Sequence, residues 1–289
     1  MPPRHLSLHI VAGVFLFASL SGCVSPDDAA GLSKLSDQAR ISLPRISNDI
    51  ADTCTRQNTL LENTPASERP STLKALDCKP YQQLAAQISK DQNILLDYFD
   101  ALGKLAANKP MDYDASIDTN TATISANSTL STSAATAGKD AEGLMKALGD
   151  AATRGYREKQ LDQLLKDNDP AVQSLTQALK KIITGDYSLM LSNEGSTLDN
   201  FYQGPMAATQ PNERLALILV QRQYTQDKTA LQSREDAVSS YGKLMDGLGA
   251  LHAKLTQQAG QKASLIEIGK QAAPIVESLK TILSDMQSR

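Results

Sequence analysis

From about residue 35 onward, apolar positions recur every three or four residues, the period of a helix that buries one face. The pattern predicts a first helix from Leu35 to about Glu62, bent at Pro44. The turn segment "NTPASERPST" (63–72) follows it. A second helix, 80–107, carries Leu84, Ile88, Leu95, Tyr98, Leu102 and Leu105 on one face, with Pro80 in its first turn. Residues 114–137 are nearly all small and polar. They read either as a Ser/Thr linker or as the weak first half of a helix ending near residue 154, and the helix is the favoured reading. Helical pattern resumes over 157–203, with "DNDP" (167–170) expected to break it and Val172, Leu175, Leu179 and Ile182 forming the next apolar face. The loop "GPMAATQPN" (204–212) is expected to precede a long helix over 212–258, which would span about 70 Å at 1.5 Å per residue. A last helix is expected over 262–287, kinked at Pro274.

The 212–258 helix has two seam rows with heptad spacing, as in coiled coils. One holds Leu217, Tyr224, Leu231, Val238, Met245 and His252; the other holds Val220, Asp227, Arg234, Tyr241, Leu248 and Leu255. Asp227 and Arg234 interrupt the second row. A buried arginine must be paired, because a lone buried charge costs several kcal/mol. The expected partner is Asp91, the polar interruption of the 80–107 helix. The competing placement lets the long helix project beyond its neighbours, its charged seam solvated and free to meet a partner. A faint repeat links "YFDALGKL" (98–105) with "YGKLMDGL" (241–248), and "ISND" (46–49) with "LSNE" (191–194), at nearly equal offsets. The fold expected is therefore all-α: an elongated antiparallel bundle of about six helices over residues 34–289, open to a reading as two related three-helix units.

Ahead of the bundle, "IVAGVFLFASL" (10–20) is an apolar run of eleven after a short stretch holding Arg4 and no acid. It suits the hydrophobic region of a secretory signal and is too short for a membrane span, which needs about 20 apolar residues. The run ends in "LSGC", with Cys23 last. The segment resembles the lipobox signal of bacterial lipoproteins. That resemblance implies a signal peptide over 1–22, removed before Cys23. It also implies a diacylglyceryl thioether and acylated amine on Cys23, and a lipidated tether over 23–33. Two or more acyl chains hold a protein stably at a membrane where one does not. Val24, rather than Asp, after the cysteine implies outer-membrane anchoring in a Gram-negative envelope, with the bundle facing the periplasm. In an exported chain the remaining cysteines, Cys54 and Cys78, read as a disulfide.

Composition removes other classes. The net charge is −3 at neutral pH with no Trp, and the densest basic cluster, Lys180–Lys181 with its neighbours, is a helix edge, so no nucleic-acid partner is expected. His252 is the one histidine outside the signal segment, and it is expected to pack in the core with one hydrogen bond. Zinc sites need several Cys or His ligands, so no metal is expected. A serine-nucleophile elbow and phosphate-binding glycine loops are both missing. No catalytic residues and no cofactor are expected. The function expected is a helical interaction or structural module for another envelope protein; the alternative is carriage of a lipid or other small apolar ligand between the helices.

Overall fold

A computed structural model describes residues 31–67, 69, 74–106, 132–153, 158–208 and 213–259, with positions 275, 278–282 and 284 near the C-terminus. The expected signal peptide, Cys23, most of the tether, the 114–131 half-helix and the Pro274 kink lie outside the described residues. The described residues are helical with no strand, an all-α bundle.

The helices are α1 (Gly31–Asn63), α2 (Lys79–Ala106), α3 (Thr132–Thr153), α4 (Glu158–Lys181), a π-turn (Ile182–Tyr187), α5 (Ser188–Ala208) and α6 (Arg214–Gln258). In α1, Leu32, Leu35, Ala39, Leu43, Ile46 and Ile50 recur at three- and four-residue steps and are all buried, which is the pattern that drives helix formation by packing. The Arg69 guanidinium closes the C-terminal end of α1 by donating to the Glu62 and Thr64 carbonyls, groups that a helix end leaves without partners. Asn58 clamps the turn by bonding both the N–H and the carbonyl of Leu76. The Asp77 carboxylate then accepts the Lys79 N–H at the start of α2. The Cys54–Cys78 disulfide, with Cα atoms 5.7 Å apart, staples this hairpin.

Helix α2 packs antiparallel on α1 and is flanked by α3, which packs in turn on α4. Gly103 lets α1 and α2 touch: a Cβ there would lie 2.9 Å from the backbone nitrogen of Ser33. Helices α4, the π-turn and α5 form one unbroken helical run, 158–208. It lies antiparallel to α6, giving a hairpin about 70 Å long. Two expected interruptions are absent. The run passes through Pro170 and, beyond residue 204, through Pro205. A proline removes one backbone hydrogen bond. Around Pro170 the packing of Val172, Leu175 and Leu179, all fully buried, outweighs that loss. Carbonyls in the preceding turn also receive side chains: Asn168 bonds Leu164, and Thr256 bonds Leu165.

The π-turn holds one extra residue, and its effect is visible in burial. The row Val172, Leu175, Leu179, Ile182 would continue in an ordinary helix through Asp186, Leu189 and Asn193. These three are exposed, and the buried residues are Tyr187, Met190 and Glu194. "IIT" followed by glycine (182–185) is a run of poor helix formers, which lowers the cost of the wide turn. Near the C-terminus Ile275, Leu279 and Ile282 are buried, with Ile275 close against Gly247 of α6.

Candidate functional site

The α6 seam divides into two halves. Leu231, Val238, Met245, His252, Arg234, Tyr241, Leu248 and Leu255 are buried, while Leu217, Val220, Tyr224 and Asp227 nearer the start are partly exposed. Three polar groupings lie along the buried half, and a groove lies beside the other.

The first grouping joins α1, α5 and α6. Arg234 is buried and its Nη1 lies 2.8 Å from Glu194 Oε1 and 4.0 Å from Asp49 Oδ2. Arg56 bridges the same two acids, with Nε 2.8 Å from Glu194 and Nη1 and Nη2 3.1 and 3.0 Å from the two Asp49 oxygens. Thr53 accepts from Arg56 and donates to Asp49, and the Tyr187 hydroxyl, placed by the π-turn, also donates to Asp49. Two acids and two bases make a neutral set. Burial works to raise the Asp49 carboxyl, but Arg56, then Tyr187, outweigh it and hold the group below its ordinary range. Burial likewise opposes the charge on Arg56, and Glu194 and Asp49 overcome it, raising its pKa. A cavity of about 390 Å³ opens beside the set, between Thr59, Leu60, Leu198, Asp227 and Ala230.

The expected Asp91–Arg234 pair does not form. Arg234 is paired as anticipated, but with Glu194 and Asp49, which approach it from α5 and α1. Asp91 is buried nearer the middle of α2, where Gln87 donates to its Oδ1 and its Oδ2 has no protein hydrogen bond. Burial pushes the Asp91 carboxyl up to about 7, against the Gln87 bond and the Lys90 charge. Next to it, Gln92 donates to the buried Tyr241 hydroxyl, and burial raises that phenol.

In the third grouping His252 makes more than the one hydrogen bond expected, with Thr256 at 3.5 Å from Nδ1 besides two closer partners. Its Nδ1 lies 2.8 Å from Asp169 and its Nε2 2.8 Å from the Tyr98 hydroxyl. Burial lowers the His252 pKa, against the pull of Asp169. The neutral ring therefore donates from Nδ1 to the carboxylate and accepts from Tyr98 at Nε2, an assignment made from the partners. Asp–His–hydroxyl order resembles a nucleophilic triad, but Tyr98 and His252 are fully buried, so no substrate reaches the hydroxyl. The chain joins α2, α4 and α6.

At the far end of the α5–α6 hairpin the surface turns apolar. Leu215, Ile218 and Leu219 are 70, 49 and 56% exposed. A groove of about 540 Å³ runs between Phe201, Tyr202 and Pro205 of α5 and Leu219, Val220 and Gln223 of α6. Tyr202 donates to Asp227, and Tyr224 donates to Asp199, which also takes Lys228. Asp227 is thus held by Tyr202 and Gln223 at the groove's lower margin.

Among the described residues no group of three or more His, Cys, Asp or Glu could hold a metal ion. No helix among them is long and apolar enough to cross a membrane. No family model matches the chain, and no curated protein or solved structure matches it.

The sequence reading missed Asp49, Arg56, Glu194 and Asp169. A signal for two of them was present: the matched segments "ISND" and "LSNE" end in Asp49 and Glu194, the two acids that converge on Arg56 and Arg234. Nothing in the periodicity marks Arg56, which sits half-exposed at the margin.

Proposed function

We propose that the protein is a non-catalytic, lipid-anchored envelope lipoprotein whose helical bundle docks another envelope protein. The anchor is Cys23, by its resemblance to a lipobox cysteine, and the bundle faces the periplasm from the outer membrane. The observation that carries the docking part is the cluster of Leu215, Ile218 and Leu219, exposed within five residues of one helix end. Contiguous exposed apolar surface marks interaction sites more often than isolated exposed residues do. The buried polar groupings support a scaffolding role, since each ties helices together.

The test is fractionation of cells carrying Cys23→Ser beside the parent. The parent is expected in the outer-membrane fraction, with acyl chains on the N-terminal cysteine by mass spectrometry. The variant is expected as uncleaved precursor or as protein free of the membrane. Membrane-bound, fully processed Cys23→Ser protein overturns the anchoring.

A further inference from the structure

The hydrogen bonds around His252 have a second arrangement open to them in the same geometry. The ring's Nδ1 lies 2.8 Å from Asp169 Oδ1 of α4. Gln173 holds that oxygen from 3.1 Å and also reaches the Gly249 carbonyl of α6. The ring's Nε2 lies 2.8 Å from the Tyr98 hydroxyl of α2. That hydroxyl has another neighbour, the Leu164 carbonyl of α4, at 3.3 Å, an oxygen that Asn168 also reaches. Tyr98 and His252 are fully buried, while the Asp169 side chain is 29% exposed. Among the described residues the titratable groups facing the ring are Asp169 from α4 and Tyr98 from α2. Phe99 of α2, packed at right angles to the ring, and Thr256 on α6 itself are neutral. Burial, then Asp169, raise the Tyr98 phenol, so it keeps its hydrogen.

A phenol has one hydrogen to give and lone pairs with which to accept. Beside the neutral ring Tyr98 gives that hydrogen to Nε2. A ring that takes a proton from bulk water at Nε2 becomes a donor there, and Tyr98 must accept. Its own hydrogen then turns to the Leu164 carbonyl, already in place at 3.3 Å. Both N–H groups of the imidazolium have acceptors, one of them a carboxylate, and no heavy atom has to move. We propose that His252, Tyr98 and Asp169 form an acid-operated switch: protonation of His252 reverses its bond with Tyr98 and adds a bond from Tyr98 to the Leu164 backbone, tying α2 to α4 as well as to α6. Burial lowers the His252 pKa against the pull of Asp169. Stability is therefore lost as pH falls below the ordinary histidine value, and the loss stops once the folded ring is itself protonated. A histidine that only fills space has no need of a second acceptor beside its phenol partner.

The test is NMR of the full chain, isotope-labelled at the histidine ring nitrogens and the leucine carbonyl carbons, followed from about pH 8 to about pH 4. His252→Gln and Leu164→Ile assign the signals. At the upper end Nδ1 is expected to carry a hydrogen and Nε2 none. On acidification Nε2 gains one at a pH below the ordinary histidine value, with the folded spectrum kept. The Leu164 carbonyl signal is expected to move with the same midpoint. Tyr98→Phe then separates bond reversal from simple protonation. With reversal, Tyr98 stabilises the cation by a bond about twice as strong as the neutral one it replaces, so its removal lowers the His252 midpoint, by about one pH unit. Without reversal the hydroxyl only donates to the neutral ring, and its removal raises the midpoint. A raised or unchanged midpoint in Tyr98→Phe overturns the proposal. So does a hydrogen on Nε2 rather than Nδ1 at the upper end, a Leu164 carbonyl that does not follow the titration, or unfolding of the parent before His252 titrates. Should Tyr98→Phe fail to fold, the parent's ring nitrogens and Leu164 signal decide the matter by themselves.

Discussion

Asp91 gives the bundle a pH dependence of calculable sign and size. Its carboxyl is buried in α2, one oxygen held by Gln87 and the other without a protein partner. Lys90 beside it is the charge that favours its ionised form, and the Tyr241 phenol across on α6 is raised in turn by Asp91. Burial raises it from 3.8 to about 7. The folded chain therefore keeps a proton that the unfolded chain has released. Stability from this group is full below the unfolded value and is lost as pH rises through the folded one. At about 1.4 kcal/mol for each pH unit of displacement, the loss amounts to about 4 kcal/mol by pH ~8. Asp91→Asn has the same shape and no charge at any pH. Urea unfolding of parent and variant across about pH 4 to 8 isolates the effect, because the other titrating groups cancel in the difference. Near pH 4 the two should differ by a constant set by the local hydrogen bonds. The variant should then gain on the parent with a slope approaching about 1.4 kcal/mol per pH unit. A difference that stays flat over this range refutes the reasoning, and would mean that Asp91 is ionised in the fold and solvated or paired there.

Truncating Glu194 to Ala leaves Arg234 in the core with only its longer contact to Asp49 and should cost about 3–5 kcal/mol in chemical unfolding, while Glu194→Leu with Arg234→Met should recover most of it; a double variant no better than the single one counts against the pairing. Replacing Cys54 and Cys78 by Ser opens a 24-residue separation and should lower unfolding free energy by about 3 kcal/mol in the chain-entropy account, measured against the oxidised parent. Gly103→Ala should destabilise the bundle by about 1–3 kcal/mol, since its methyl group meets the Ser33 backbone nitrogen as well as the Ser33 hydroxyl, and the backbone cannot turn aside; an unchanged melting curve would show that α1 and α2 separate freely.

Periodicity carried the helices because burial of one face is what forms them. The apolar residues assigned to α2 and to the face of α4 are all buried. Prolines misled the boundaries: Pro170 and Pro205 cost one hydrogen bond each, and packing decides whether the helix survives that cost. The seam of α6 showed that Arg234 needed a partner, but not which one. Asp91 was the natural guess because it interrupts an apolar face, whereas Asp49 and Glu194 lie on α1 and α5. Choosing among acids on three helices requires knowing which helices are neighbours, and nothing local to a helix encodes that. The disulfide was accessible because so few cysteines were left to pair. The apolar groove was not, because its walls come from two helices at once.

The extra residue in the π-turn also bears on how this chain tolerates change in length. A helix read in steps of three and four has a frame, and an inserted residue would ordinarily turn everything beyond it by about 100°. Here the frame is lost at Ile182 and restored at Tyr187, so Glu194 still faces Arg234 and Leu198 still faces inward. The wide turn absorbs the slip locally. A chain shortened by Gly185, which is exposed and has open space around it, would close to a regular helix with both faces still in phase. The same one-residue deletion in α6, which has no such turn, would throw half of its seam toward solvent. Tolerance of a lost residue is thus expected on one side of the hairpin only, at a site within three turns of the buried Glu194.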